Sequence, residues 1–237
     1  MSAEPMTCSL RQQLSWIWRA ALAFGLALCG PAGAQLIIDV TTSAGRQVPV
    51  AVLPFAAEDS APQNVTPVIS GNLARTGLFR IVNTSAVSVL PTEPSQVNFL
   101  DWSSRGAEAL VIGSITAGAD GRYDVRFRLF DVAKQTQLAG TSYVVAASQL
   151  RATAHKIADE IYEKLLGERG VFSTRIAYVL KRGPRFDLQV ADADGFNPQT
   201  VLSSLEPIRS PKWSPDGTRL AYVSFESRKS TVVVQDL

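Results

Sequence analysis

At 237 residues the chain is long enough for one large domain or two modest ones, and a hydrophobic content of 46% can fill real cores. A formal charge of +2 carries no basic excess of the kind a nucleic-acid binder concentrates on one face, so that class is set aside. Cys8 and Cys29 are its two cysteines, too few and too near the N-terminus to staple a fold.

Residues 1–34 read as a signal peptide outside the fold. Arg11 and Arg19 precede an apolar run, residues 20–30, that is too short to span a bilayer as a helix. Ala32-Gly33-Ala34 then supplies the small-x-small pattern of a cleavage site, which makes Gln35 the new N-terminus. A lipidated Cys29 would need a small residue before it, and Leu28 stands there. Cleavage removes both cysteines, so the exported product has neither disulfides nor thiol chemistry. Its stability rests on packing.

The mature chain opens with a strand pattern. Leu36, Ile38 and Val40 alternate with Ile37, Asp39 and Thr41 in a β-branched stretch. Residues 47–55, QVPVAVLPF, form a continuous apolar run that suits a strand buried on both faces. A helix follows, capped by Thr66, with Pro67 at its first position and Gly77 at its end. Ile69, Leu73 and Thr76 share one side of it. Residues 78–82 read as a strand, and 83–107 as irregular chain with a helical turn near Trp102. Residues 108–132 form a hairpin around Asp120-Gly121, where Tyr123, Val125, Phe127 and Leu129 give a dry face and Asp124, Arg126 and Arg128 a wet one. One more strand, 136–145, precedes a helix from Ser148 to about Leu166. Its apolar stripe is Leu150, Ala154, Ile157, Ala158, Ile161 and Leu165, and Gly167 and Gly170 mark the exit. This order predicts an α/β domain, a mixed sheet with helices, over residues 35–168.

From residue 173 onward short strands alternate with turns. Thr174, Arg175, Ala177, Tyr178, Val179, Val190 and Asp192 recur 44 residues later as Thr218, Arg219, Ala221, Tyr222, Val223, Val234 and Asp236. Seven identities at one shift, with several strands per unit, are the signature of β-propeller blades. Pro215-Asp216-Gly217 makes the turn into the second copy, and Trp213 is placed to cover the seam to a neighbouring sheet. Leu220 and Tyr222 fall on one face, Ala221 and Val223 on the other, as a sheet stacked between two others requires. Residues 173–237 therefore read as a first blade and part of a second. That is the start of a β-propeller, incomplete in this chain, and the expectation is the front part of a longer protein.

With these motifs in hand, the chain resembles the N-terminal part of the TolB family, the periplasmic component of the Tol-Pal envelope system. The carriers are LIIDVT, VAVLPF, ALVIGSI, IADEIYEKLLGERGVFSTRIAYV and SPKWSPDGTRLAYVSFESRKS, spread over the whole mature segment. The resemblance implies a binding protein without catalysis, cofactor or metal, built from an α/β domain and a six-bladed propeller. It implies that the propeller binds the outer-membrane lipoprotein Pal and that the mature N-terminus binds the C-terminal domain of inner-membrane TolA. It also implies a role in outer-membrane invagination at cell division and in envelope integrity. Carried over by position, the TolA-binding segment is Gln35, Leu36, Ile37, Ile38, Asp39, Val40, Thr41 and Thr42. An extended terminal strand suits that role, because its free backbone groups can extend a partner's sheet. Burying three or four aliphatic side chains yields on the order of 5 kcal/mol, comparable to the entropy of ordering about eight residues, so such a tail is readily exchanged.

The rival class is the propeller portion of an exported serine peptidase. That chemistry needs a G-x-S-x-G elbow with His and Asp partners. No elbow occurs, and the one histidine, His155, reads as a partly exposed helix residue. Residues 192–197, DADGFN, begin like a calcium loop but lack the closing glutamate, and a polar hairpin turn fits them better. Zinc has one histidine and no mature cysteine to use. The glycines of residues 113–121 lie in a hairpin rather than between a strand and a helix, which argues against a phosphate cradle.

Overall fold

The computed structural model describes residues 46–85, 87 and 91–237. The leader and the segment 35–42 lie outside the described residues. A five-stranded sheet comes first. Its strands are β1 (Val48–Val52), β2 (Phe79–Ile81), β3 (Ala109–Ala117), β4 (Arg122–Asp131) and β5 (Thr136–Ala146), in the order β2-β1-β3-β4-β5. β1 pairs in parallel with β2 and β3, and β3, β4 and β5 run antiparallel. The sheet is mixed, as the order of elements predicts.

The apolar runs of β1 and β3 have a direct cause: both strands are buried on both faces. Val50, Val52, Val111 and Ile115 point to one core with α1 (Thr66–Arg75) and α3 (Leu150–Leu166). Ala51, Leu53, Leu110 and Ile112 point to a second core, completed by Trp102 on the short helix α2 (Phe99–Ser104). The described part of the excursion, residues 91–107, is thus a cover for the back of the sheet. The same cover ends the wet face of β4. That face is polar at Asp124 and Arg126, but Phe130 on the same side is buried against Phe99.

Two helix starts differ from expectation. α1 begins at Thr66 with Pro67 second, and the Thr66 hydroxyl does not cap its own helix. The carboxylate of Glu58 does so instead, accepting from the Thr66 backbone N–H at 3.1 Å and from its hydroxyl at 2.8 Å. Residues Ala147–Gln149 form a single 3-10 turn, and α3 proper starts at Leu150. The predicted stripe of α3 is buried from Leu150 through Ile161, and Gly167 closes the helix at φ +78° with its N–H on the Glu163 carbonyl.

Two three-stranded antiparallel sheets follow: β6 (Arg175–Arg182), β7 (Arg185–Asp192) and β8 (Gln199–Ser204), then β9 (Ile208–Trp213), β10 (Arg219–Ser224) and β11 (Thr231–Asp236). The repeat is structural as well as textual. Arg175 pairs with Asp192 and Tyr178 with Gln189, and 44 residues on Arg219 pairs with Asp236 and Tyr222 with Val233. Even the closing bond recurs, from Ala193 N–H to the Thr174 carbonyl and from Leu237 N–H to that of Thr218. Leu188 and Val190 of the first sheet share a core with Ile208, Leu220 and Tyr222 of the second. Tyr178 is more open than Tyr222 because β6 is an edge strand, whereas β10 has β9 along its other side.

Candidate interaction surfaces and the domain junction

The turn before β10 is built as its sequence implies. Gly217 takes φ +70°, a left-handed conformation glycine adopts without strain, and donates its N–H to the Ser214 carbonyl at 2.9 Å. Asp216 accepts from the Ser214 hydroxyl and from the Thr218 N–H. These bonds, the Ser214 hydroxyl first, draw its pKa down to about 2. Pro215 lies within this turn and presets its entry. Trp213 does cover a seam: the Arg175 guanidinium of the first sheet lies 4.7 Å over its ring and donates to the Gly217 carbonyl at 2.9 Å. Trp213, Pro215, Asp216, Gly217 and Tyr222 thus belong to the second sheet and its entry turn, and Tyr178 stands at the equivalent of Tyr222 in the first. Beyond them, Val232 and Val234 form an exposed apolar face on β11.

The first sheet enters differently. No aspartate stands at the position 44 residues before Asp216. Instead Asp159 of α3 accepts the N–H groups of Phe172, at 2.6 Å, and Ser173, at 3.0 Å. Gly170 lies so close to Asp159 that a side chain would collide with it. Phe172 packs edge-on to Tyr162, which packs edge-on to Phe79, so the linker is anchored in the first core.

Beside this anchor lies a charged cluster that sequence reading missed. His155 is not partly exposed; 3% of its surface remains open, and this corrects the expectation for it. α1 covers one side of its ring and the β7–β8 turn the other. Its Nδ1 lies 2.8 Å from the Asn72 side-chain amide nitrogen on α1, while Asp194 and Asp192 lie 3.9 and 4.0 Å from its Nε2. Arg151, one turn earlier on α3, is ion-paired to Asp194 and lies 3.4 Å from Asp192, with its guanidinium 3.8 Å over the Phe196 ring. Burial, the largest influence, pushes the His155 pKa below its ordinary 6.5. The DADGFN stretch is a tight turn, with Gly195 N–H on the Asp192 carbonyl and Phe196 N–H on Asp194. Its carboxylates face an arginine. His155, Asp192 and Asp194 do bring three ligand-type atoms within 4.8 Å of one another, but Arg151 already supplies the positive charge there. A signal for the cluster was present: Arg151, His155 and Asp159 recur every four residues, a polar row flanking the apolar stripe.

Comparison with known proteins settles the family. Residues 36–138 match the family described as TolB amino-terminal domain, and residues 162–237 the TolB beta propeller domain. This chain belongs to the TolB family. It is 53% identical over 91% of its length to the Tol-Pal system protein TolB of Methylobacillus flagellatus, covering 50% of that protein. It is 56% identical over 87% of its length to that of Bordetella pertussis, covering 47%. The crystal structure of TolB from Acinetobacter baumannii superposes with a TM-score of 0.72 at 37% identity, over 81% of this chain and 47% of that one. The chain spans about half the length of the TolB relatives it matches. Among the described residues no helix is long and apolar enough to cross a membrane.

Proposed function

We propose that this chain is a non-catalytic, periplasmic protein-interaction component of the Tol-Pal system, joining inner-membrane TolA to the outer-membrane lipoprotein Pal. In that role it serves outer-membrane invagination at division and envelope integrity. The observation that carries the reading is the pairing of a TolB-type α/β domain with two sheets in the same register 44 residues apart. Stacked sheets of this kind present broad surface for protein partners. Catalysis finds no support in the one histidine: its ring hydrogen-bonds to Asn72 and faces carboxylates already engaged by Arg151. Gln35 to Thr42 is the TolA-binding segment in this reading, acting as a strand added to the partner's sheet.

The test is deletion of residues 35–42. Capture by the TolA C-terminal domain should be lost while the melting of the α/β domain stays unchanged. Undiminished capture would assign TolA binding elsewhere.

A further inference from the structure

The five-stranded sheet ends in two unlike edges. β2 is three residues long and carries Arg80, the short, charged kind of edge that discourages further pairing. β5, at the other edge, is 11 residues long, and Thr136–Ala146 contains neither a proline nor a charged residue. The β3–β4 turn fixes which of its backbone groups face outward. Gly118 donates its N–H to the Arg122 carbonyl, so Arg122, Asp124, Arg126 and Arg128 bond toward β3 and the residues between them toward β5. Those residues, Tyr123, Val125 and Phe127, pair with Val145, Tyr143 and Thr141. Gly140, Ser142, Val144 and Ala146 therefore turn their N–H and C=O groups away from the sheet. One end of this row is closed, since Gln149 accepts the Ala146 N–H and Arg122 donates to the Val144 carbonyl. From Gly140 to the Val144 N–H the row has no protein partner among the described residues.

The flank of this edge is acidic. Thr141 and Tyr143, on the helix-facing side of β5, both donate their hydroxyls to the Glu160 carboxylate on α3, at 3.0 and 3.1 Å. These donors are neutral, and neither Glu160 nor Glu163 forms an ion pair among the described residues. Tyr143 shares an open groove with Asp159, Glu160 and Glu163, which outnumber its two cations, Lys156 and Arg169. On the opposite face of β5, Val144 is exposed. We propose that the open edge of β5 is a docking site for an extended segment of a partner protein, added as a further strand with basic side chains on the face toward α3. Main-chain bonds to Gly140, Ser142 and Val144 supply the attachment, and alternation supplies the selectivity. Successive side chains of the added strand point in turn toward the Glu160–Glu163 flank and toward Val144. Lysine or arginine on the first face meets carboxylates, whereas aspartate or glutamate there is repelled. In this contact the chain provides the sheet, while residues 35–42 in the reading above provide a strand, so the two are tested separately.

The test is an amide NMR titration of the whole chain with an end-blocked peptide of about eight residues, alternating lysine and valine. Binding should shift the amides of Gly140, Ser142 and Val144 and slow their exchange. The amides of Thr141 and Tyr143, already bonded to β4, should stay nearly unchanged. The same peptide with glutamate in place of lysine should not bind. Glu160→Gln keeps an acceptor for the two hydroxyls and should weaken the lysine peptide by up to about fivefold. Ser142→Pro removes an outward N–H without touching the β4 ladder and should abolish binding, whereas Ser142→Ala should leave it intact. The proposal is overturned if the lysine peptide leaves the outward amides unmoved, if outward and inward amides respond alike, or if the glutamate peptide binds equally well. It is also overturned if the outward amides already exchange slowly in the free chain. Slowing that grows with protein concentration would assign the edge to a second copy, and slowing lost on deletion of residues 35–42 would assign it to that segment.

Discussion

The two three-stranded sheets share a register and much of a sequence, yet the same positions live in opposite surroundings. Leu188 of β7 is fully buried, whereas Val232, its counterpart 44 residues on, is 71% exposed. Val190 is 8% exposed and its counterpart Val234 is 60% exposed. The difference lies in the neighbour, since the first sheet has β9 and β10 packed on that face and the second has none among the described residues. A blade's sequence is written for two buried faces, and its stability is realised only where a neighbouring sheet arrives.

The largest expected effect follows from that contrast. Leu188→Ala should cost about 2–5 kcal/mol, because it empties a site enclosed by Leu220 and Tyr222, whereas Val232→Ala should change stability by no more than about 0.5 kcal/mol. Denaturant melts of the two variants measure it. Equal losses would mean that β11 is covered in solution and that the asymmetry is not a property of the protein.

Arg175 and Arg219 sharpen the comparison at smaller scale. Arg175 reaches across the seam to the Trp213 ring and the Gly217 carbonyl, and Arg219, its repeat partner, belongs to the sheet that has no further neighbouring sheet among the described residues. Arg175→Ala should destabilise by about 1 kcal/mol, the sum of a surface cation–π contact and one hydrogen bond, and Arg219→Ala by a fraction of that. The same melts, read for both variants, would expose a seam held only by Leu188 and its neighbours if the two were indistinguishable.

What the sequence revealed was what short-range pattern encodes. The 44-residue repeat, the buried runs of β1 and β3, and the stripe of α3 are all periodicities, and each stands in the structure. The misses are tertiary. Phe130 sits on a face that looks polar from Asp124, Arg126 and Arg128, and only the excursion through Trp102 makes that end dry. His155 lies between Ala154 and Ile157, so its burial depends on α1 and the β7–β8 turn arriving on either side of α3. Thr66 precedes a proline as a capping residue should, but Glu58, eight residues upstream, folds back to take its place.

The smallest effect tests the two entry turns against each other. The second sheet caps its own entry with Asp216, and the first borrows Asp159 from α3. Asp216 titrates at about 2 rather than 3.8, held down by the Ser214 hydroxyl and the Thr218 backbone N–H. A depressed carboxylate stabilises the fold fully above its unfolded pKa and loses that contribution as pH falls through the folded one. The second sheet should therefore weaken as pH drops from about 4 to about 2, and Asp216→Ala should flatten that part of the profile while lowering stability modestly at neutral pH. Exchange of the β10 amides, followed against those of β6, reads the effect, because the Ser214 hydroxyl bonded to Asp216 also accepts from the Arg219 N–H that opens β10. An Asp216→Ala profile parallel to that of the unaltered chain would mean that the glycine conformation at Gly217, and not the carboxylate, sets this turn.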